Sequence, residues 1–199
     1  QKVIDAKDPN GNVMFRLGSA TDCANGDLIF SSEHIFNLNV YNLSDFKISA
    51  ANTFYTNSTA LKYFWASETT DIRRGKMWKE VYDNYWWTYY YYMTKYTQAT
   101  NMPVWAKNSI PLFRLAEMYL IAMECGSIQN ANDLYKEVCI ARDITPVTFG
   151  STEELSETLI LEYNREFYGE GQAFYAYRRI CINLRVAFTE SRKSLHPIN

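Results

Sequence analysis

The sequence predicts a mainly α protein. Helical pairs follow from residue 108 onward, behind a loop- and short-strand-rich part over residues 1–107, all within one domain of 1–199. Three observations carry this. Apolar residues recur at helical spacing between Leu112 and Phe167. Ser151-Thr152-Glu153-Glu154 has the form of a capping box, with a hydroxyl before the first turn and a carboxylate three residues on. The first sixty residues are instead broken by Asn, Ser and turn dipeptides.

In order, Asp8-Pro9-Asn10-Gly11 and Asn25-Gly26-Asp27 read as turns, because Pro presets φ and Asn-Gly tolerates positive φ. Short apolar runs, Val13-Met14-Phe15 and Leu28-Ile29-Phe30, lie between and after them. Residues 61–107 are aromatic, and between Tyr82 and Tyr96 Tyr and Trp dominate with neither period 2 nor period 3.6. Irregular or strand structure is expected there, since aromatics favour strands.

Pro111 suits the first turn of a helix, where its missing N–H is not needed. Leu112 to Cys125 is then apolar almost all round. Arg114, Glu117 and Glu124 fall within about 80° of one another on a helical wheel, one narrow polar stripe. Gly126 is a natural stop. A second helix runs from about Ala131 to Asp143, with Leu134, Val138 and Ala141 on its buried face. So short a link makes the two antiparallel neighbours, and small residues allow close approach, the pattern of a tetratricopeptide-like pair. One pair cannot bury its own core, so further repeat material should lie alongside. Thr145-Pro146 ends the second helix. A third runs from Ser151 to about Tyr168, Gly169-Glu170-Gly171 interrupts, and a fourth covers about Gln172 to Phe188 before a loop tail, 194–199.

A net charge of -2 leaves no basic excess for a phosphate backbone, so nucleic acid is not an expected partner. No apolar run is long enough to span a bilayer. Gln1-Lys2-Val3-Ile4-Asp5 is not a signal peptide, so either the protein is intracellular or an export signal lies upstream. Cys23, Cys125, Cys139 and Cys181 form no Cys-x-x-Cys pair and read as scattered buried thiols. His34 and His196 are isolated. No metal or cofactor is implied.

Two segments resemble the C-terminal signatures of the SusD/RagB family. The first is 110–124, Ile110-Pro111-Leu112-Phe113-Arg114-Leu115-Ala116-Glu117-Met118-Tyr119-Leu120-Ile121-Ala122-Met123-Glu124, departing chiefly at Met123. The second is Glu162-Tyr163-Asn164-Arg165-Glu166-Phe167-Tyr168-Gly169-Glu170-Gly171 with Phe174 and Arg178, departing at Tyr163, Ala173 and Ala176. Asp71-Ile72-Arg73-Arg74 and Lys95-Tyr96 resemble weaker signatures upstream. The resemblance implies an α/α superhelix in a lipid-anchored protein on the outer face of the outer membrane, its anchor upstream of this chain. It also implies a glycan ligand (a peptide in some branches), a TonB-dependent, SusC-like transporter as partner, and no catalysis.

Glu162, Glu166 and Glu170 could serve as glycosidase carboxylates. Scaffolding is the better reading. Glu162 and Glu166 stand four apart on a helix and repel unless a cation intervenes. Arg114, Glu117, Glu124, Glu162, Arg165, Glu166, Glu170 and Arg178 are therefore expected as buried ion pairs. Gly169-x-Gly171 lacks the strand and the Lys of a phosphate loop and reads as a tight turn. Sugar rings present C–H faces that stack on aromatic rings. The expected ligand surface is thus Trp78, Trp86, Trp87, Tyr89, Tyr90, Asn101 and Trp105, each of which has a core or interface role as its alternative.

Overall fold

A computed structural model describes residues 1–43, 55–65, 70–85 and 87–180. The expected ligand residue Trp86, together with Cys181, His196 and the end of the fourth helix, lies outside them. Helices make up the larger part of the regular structure, accompanied by two small antiparallel sheets.

The elements begin with α1 (Ala20–Ala24), a 3-10 turn (Ser31–Glu33) and β1 (His34–Asn39). Then come β2 (Tyr55–Asn57), α2 (Ser58–Trp65) and α3 (Ile72–Met77), which runs directly into β3 (Trp78–Asp83). The two short helices stand where irregular or strand structure was expected. β3 and β4 (Thr88–Met93) form a hairpin in the register Trp78↔Met93 to Asp83↔Thr88, and β2 adds to β4 on its other edge.

β5 (Ser109–Arg114) corrects the expected helix start. Pro111 sits in a strand, because its neighbour Ile110 is biased to extended backbone and because β1 offers an antiparallel partner in the register Asn37↔Pro111. In a two-stranded ribbon a proline need not donate. Phe36 and Phe113 face each other across it at 6.5 Å. Helix α4 begins only at Leu115 and ends at Cys125, with Gly126 as its C-cap. A Cβ on Gly126 would lie 2.8 Å from the Ala122 carbonyl oxygen, which explains the glycine.

α5 (Ile128–Arg142) starts earlier than expected. The Ser127 hydroxyl accepts from the Asn130 N–H, and Asp143 ends the helix in the left-handed region. α6 (Thr152–Glu166) is capped by Ser151, which accepts from the Glu154 N–H. The Glu154 carboxylate reaches back to the N–H of Gly150 and not to that of Ser151. A turn through Gly169 and Gly171, both at positive φ, leads to α7, residues 172–180.

Three apolar clusters hold this together. α4, α5 and α6 enclose the largest, which includes Leu120, Met123, Leu134, Val138, Leu159 and Phe167. A second lies at the base of the hairpin, with Phe30, Trp65, Met77, Trp78 and Met93. A third contains Ile29, Leu43, Tyr96, Met102 and Ala106.

Candidate functional site

Two features stand out, a buried set of charges and an exposed aromatic hairpin. The last turn of α6 and the residues after it seat the first. Glu166 accepts from three arginines. Its Oε1 takes Arg114 Nη1 at 2.7 Å and Arg142 Nη2 at 3.0 Å, and its Oε2 takes Arg73 Nη1 and Arg142 Nε, each at 3.0 Å. Glu162, one turn earlier, accepts from Arg73 Nη1 at 2.8 Å and from Arg165 Nη1 at 2.6 Å. Arg73 thus stands between the two like charges. Glu33 accepts from Arg142, Arg114 and the Gly18 N–H, and Asp71 holds Arg73 and the Trp65 indole N–H. Lys95 pairs with Glu170 and donates to the Glu166 carbonyl oxygen at 2.8 Å. The balance is five cations (Arg73, Lys95, Arg114, Arg142, Arg165) against five carboxylates (Glu33, Asp71, Glu162, Glu166, Glu170).

Electrostatics follow from this packing. Burial pushes the Glu166 pKa up, but Arg142, Arg114 and Arg73 outweigh it and hold the carboxylate well below its ordinary range. Burial likewise opposes ionisation of Asp71, and Arg73 overcomes it. Burial pulls the Lys95 ammonium down against the pull of Glu170. A glycosidase acid needs a pKa shifted up. Glu166 is shifted the other way, with both oxygens occupied.

Of the expected ion-pair residues, Arg114, Glu162, Arg165, Glu166 and Glu170 meet here. Glu117, Glu124 and Arg178 do not. Residue 114 is extended backbone, so helical spacing does not carry over from it to 117 and 124. Glu124 instead binds Arg179 at 2.7 Å near the surface. Arg178, its neighbour, is exposed and takes part in no ion pair among the described residues. Glu117 has an Oε2 that is enclosed with no hydrogen-bond partner among the described residues, and burial raises its pKa. Sequence reasoning missed Glu33, Asp71, Arg73, Lys95 and Arg142 as members. The usable signal was the need of the Glu162–Glu166 pair for a cation.

The hairpin carries the second feature. Asp83 Oδ1 accepts from the Tyr85 N–H at the turn. Trp87 follows with φ +52°, a conformation costly for a bulky side chain, and the residue is 81 % exposed. Tyr82 and Tyr89 sit opposite each other with ring centroids 4.8 Å apart, and Tyr85 is exposed beside the turn. Tyr90 is half-buried on the same strand. Trp78 is a correction: at 8 % exposure it packs edge-on against Trp65 and Tyr168 and belongs to the core. Trp105, 76 % exposed, lies on a separate 3-10 turn (Val104–Ala106), and Asn101 donates to the Ala24 carbonyl oxygen at the Gly26 turn.

Other candidates are plain. Burial pushes the Cys23 thiol up to about 11, and Cys139 is buried, whereas Cys125 is exposed, contrary to expectation. His34 is partly buried beside the Ile29 carbonyl oxygen. No group of three His, Cys, Asp or Glu side chains among the described residues is arranged to hold a metal. No helix among them is long and apolar enough to cross a membrane.

The family model of the SusD family matches residues 41–196. The chain belongs to the SusD family, whose members are nutrient-binding proteins of the outer membrane and not enzymes. No curated protein and no solved structure matches it.

Proposed function

We propose that this protein binds a glycan at the outer face of the outer membrane and passes it to a TonB-dependent, SusC-like transporter. A lipid anchor upstream of this chain would hold it there. Tetratricopeptide-like pairing of the helices forms its scaffold, within one domain made of an aromatic, loop-rich part (1–107) and a helical part (108–199).

The observation that supports this reading is the exposed ring set Tyr82, Tyr85, Trp87 and Tyr89 on one hairpin. Such rings lose little side-chain entropy on binding and offer flat faces to sugar C–H groups. Trp86, the sequence neighbour of Trp87, is a further candidate contact, and Tyr90, Asn101 and Trp105 are secondary contacts. The test is a glycan array followed by calorimetry with the glycans that bind. Trp87→Ala should weaken affinity about tenfold, the worth of one stacked ring, with no product formed from the glycan. Absence of binding to any glycan overturns the reading.

Exposed Tyr and Trp also suit protein interfaces. Docking on the transporter, with no ligand site in this segment, is therefore the second reading. It is selected if Trp87→Ala abolishes co-purification with the transporter while no glycan binds. Capture of peptides in place of glycans would mark the peptide-binding branch of the family.

A further inference from the structure

The hairpin has two feet. At the entry foot, α3 runs into β3 without a break and carries Arg73. At the exit foot, Lys95 follows β4 by two residues, and the Thr94 N–H closes the base on the Met77 carbonyl oxygen at 2.8 Å. Both cations point to the same short stretch. Arg73 holds Glu162 and Glu166, and Lys95 holds Glu170 and the Glu166 carbonyl oxygen. Between the feet, Trp78 packs on Tyr168 with ring centroids 4.8 Å apart. The segment 162–170 therefore touches the hairpin base at three points.

We infer that Arg73 and Lys95, with Tyr168, are positioning residues that set the angle of the aromatic hairpin on the turn 162–170. This rests on the reading of the hairpin as the ligand surface. Leverage is the physical reason. Six residues at about 3.3 Å each put the turn about 20 Å from the base. A tilt of about 10° at the base then moves the Trp87 ring by about 3 Å, far beyond the fraction of an ångström that a pre-organised contact tolerates. β2 pairs only with the inner half of β4, from Tyr90 to Tyr92, so among the described residues the outer half is a two-stranded ribbon. Such a ribbon does not hold its own direction in water. The direction has to come from the base, where the apolar cluster around Trp65, Trp78 and Met93 anchors the strands and the two cations and Tyr168 tie them to the turn 162–170.

The test is amide hydrogen exchange on the full chain without ligand. Lys95→Met keeps the stem and removes the charge. Exchange over residues 79–92 should quicken about tenfold, while amides of α5 at 131–139 change less than twofold. Tyr168→Leu, which leaves every ion pair in place, should do the same and serves if Lys95→Met does not fold. Equal acceleration in the hairpin and in α5 makes these residues general core elements and overturns the inference, as does unchanged exchange in both. The two readings fail separately. Hairpin exchange that responds as stated in a protein that binds no glycan sinks the glycan reading alone. Glycan binding that survives both variants at full affinity, with a hairpin that exchanges faster, sinks the positioning role alone.

Discussion

Gly18 illustrates how a single position is dictated by its surroundings. Its N–H donates to Glu33 Oε1 at 2.7 Å, its carbonyl accepts from Arg142 Nη1 at 2.6 Å, and its α-carbon lies against the Phe30 ring. A Cβ there would stand 2.1 Å from Phe30 Cδ1. Phe30 cannot give way, since it is fully buried, at φ +53°, with the Arg142 guanidinium 4.3 Å from its ring centroid. Gly18→Ala should therefore destabilise by about 3 kcal/mol, the upper end for overpacking, read as a lower urea midpoint. An unchanged midpoint would show that the Phe30 pocket relaxes. Nothing in the sequence around Gly18 announces this, because the crowding atoms all come from Phe30, which Arg142 holds in place. Glu162 and Glu166 were more legible: four apart on a helix, they require a cation. Which cation was not legible, because Arg73 is 89 residues away from Glu162.

At the scale of elements, local chemistry was readable and pairing was not. α6 follows its own serine and α5 its apolar spacing, so their presence and order came directly from the chain, though the Ser127 cap that starts α5 was read as part of the link. β5 did not. Pro111 has a φ suited both to the first turn of a helix and to a strand. The choice fell to Phe36 and its neighbours on β1, far away in sequence. That one choice also displaced Arg114 from the stripe of Glu117 and Glu124 and freed it for Glu166. The aromatic run resisted a period for a related reason. The strands on either side of its turn change from a buried base at Trp78 and Met93 to an exposed outer end at Tyr82 and Tyr89. No single alternation spans such a change of surroundings.

For the molecule as a whole, the five-to-five balance decides how stability varies with pH. Glu166 and Asp71 have folded pKa values below their ordinary 4.5 and 3.8, so the unfolded chain binds more protons in acid. Their contribution is complete above those values and is lost as pH falls through the folded ones. His34 adds an earlier decline. Burial lowers its pKa from the ordinary 6.5, so unfolding is favoured once pH drops below that value. Thermal melts from pH 7 down to pH 3 should show a shallow loss and then a steep one, and His34→Gln should remove only the shallow part. A melting temperature flat down to pH 3 would mean that the paired carboxylates contribute nothing to acid stability.

The same charges have an order in time. Synthesis runs from the N-terminal side, so Arg73, Lys95, Arg114 and Arg142 all leave the ribosome before Glu162, Glu166 and Glu170 exist. Until then only Glu33 and Asp71 are present to neutralise four cations, and an interior with two surplus charges cannot close. The carboxylates of 162–170 thus complete the neutralisation of these buried cations. A Glu162→Gln, Glu166→Gln and Glu170→Gln triple variant of the whole chain keeps the apolar sequence but lacks those charges. It should remain without fixed aromatic packing, seen as loss of the near-ultraviolet circular dichroism of its tryptophans and tyrosines. A cooperative melt equal to that of the unaltered chain would show that closure proceeds without the late carboxylates.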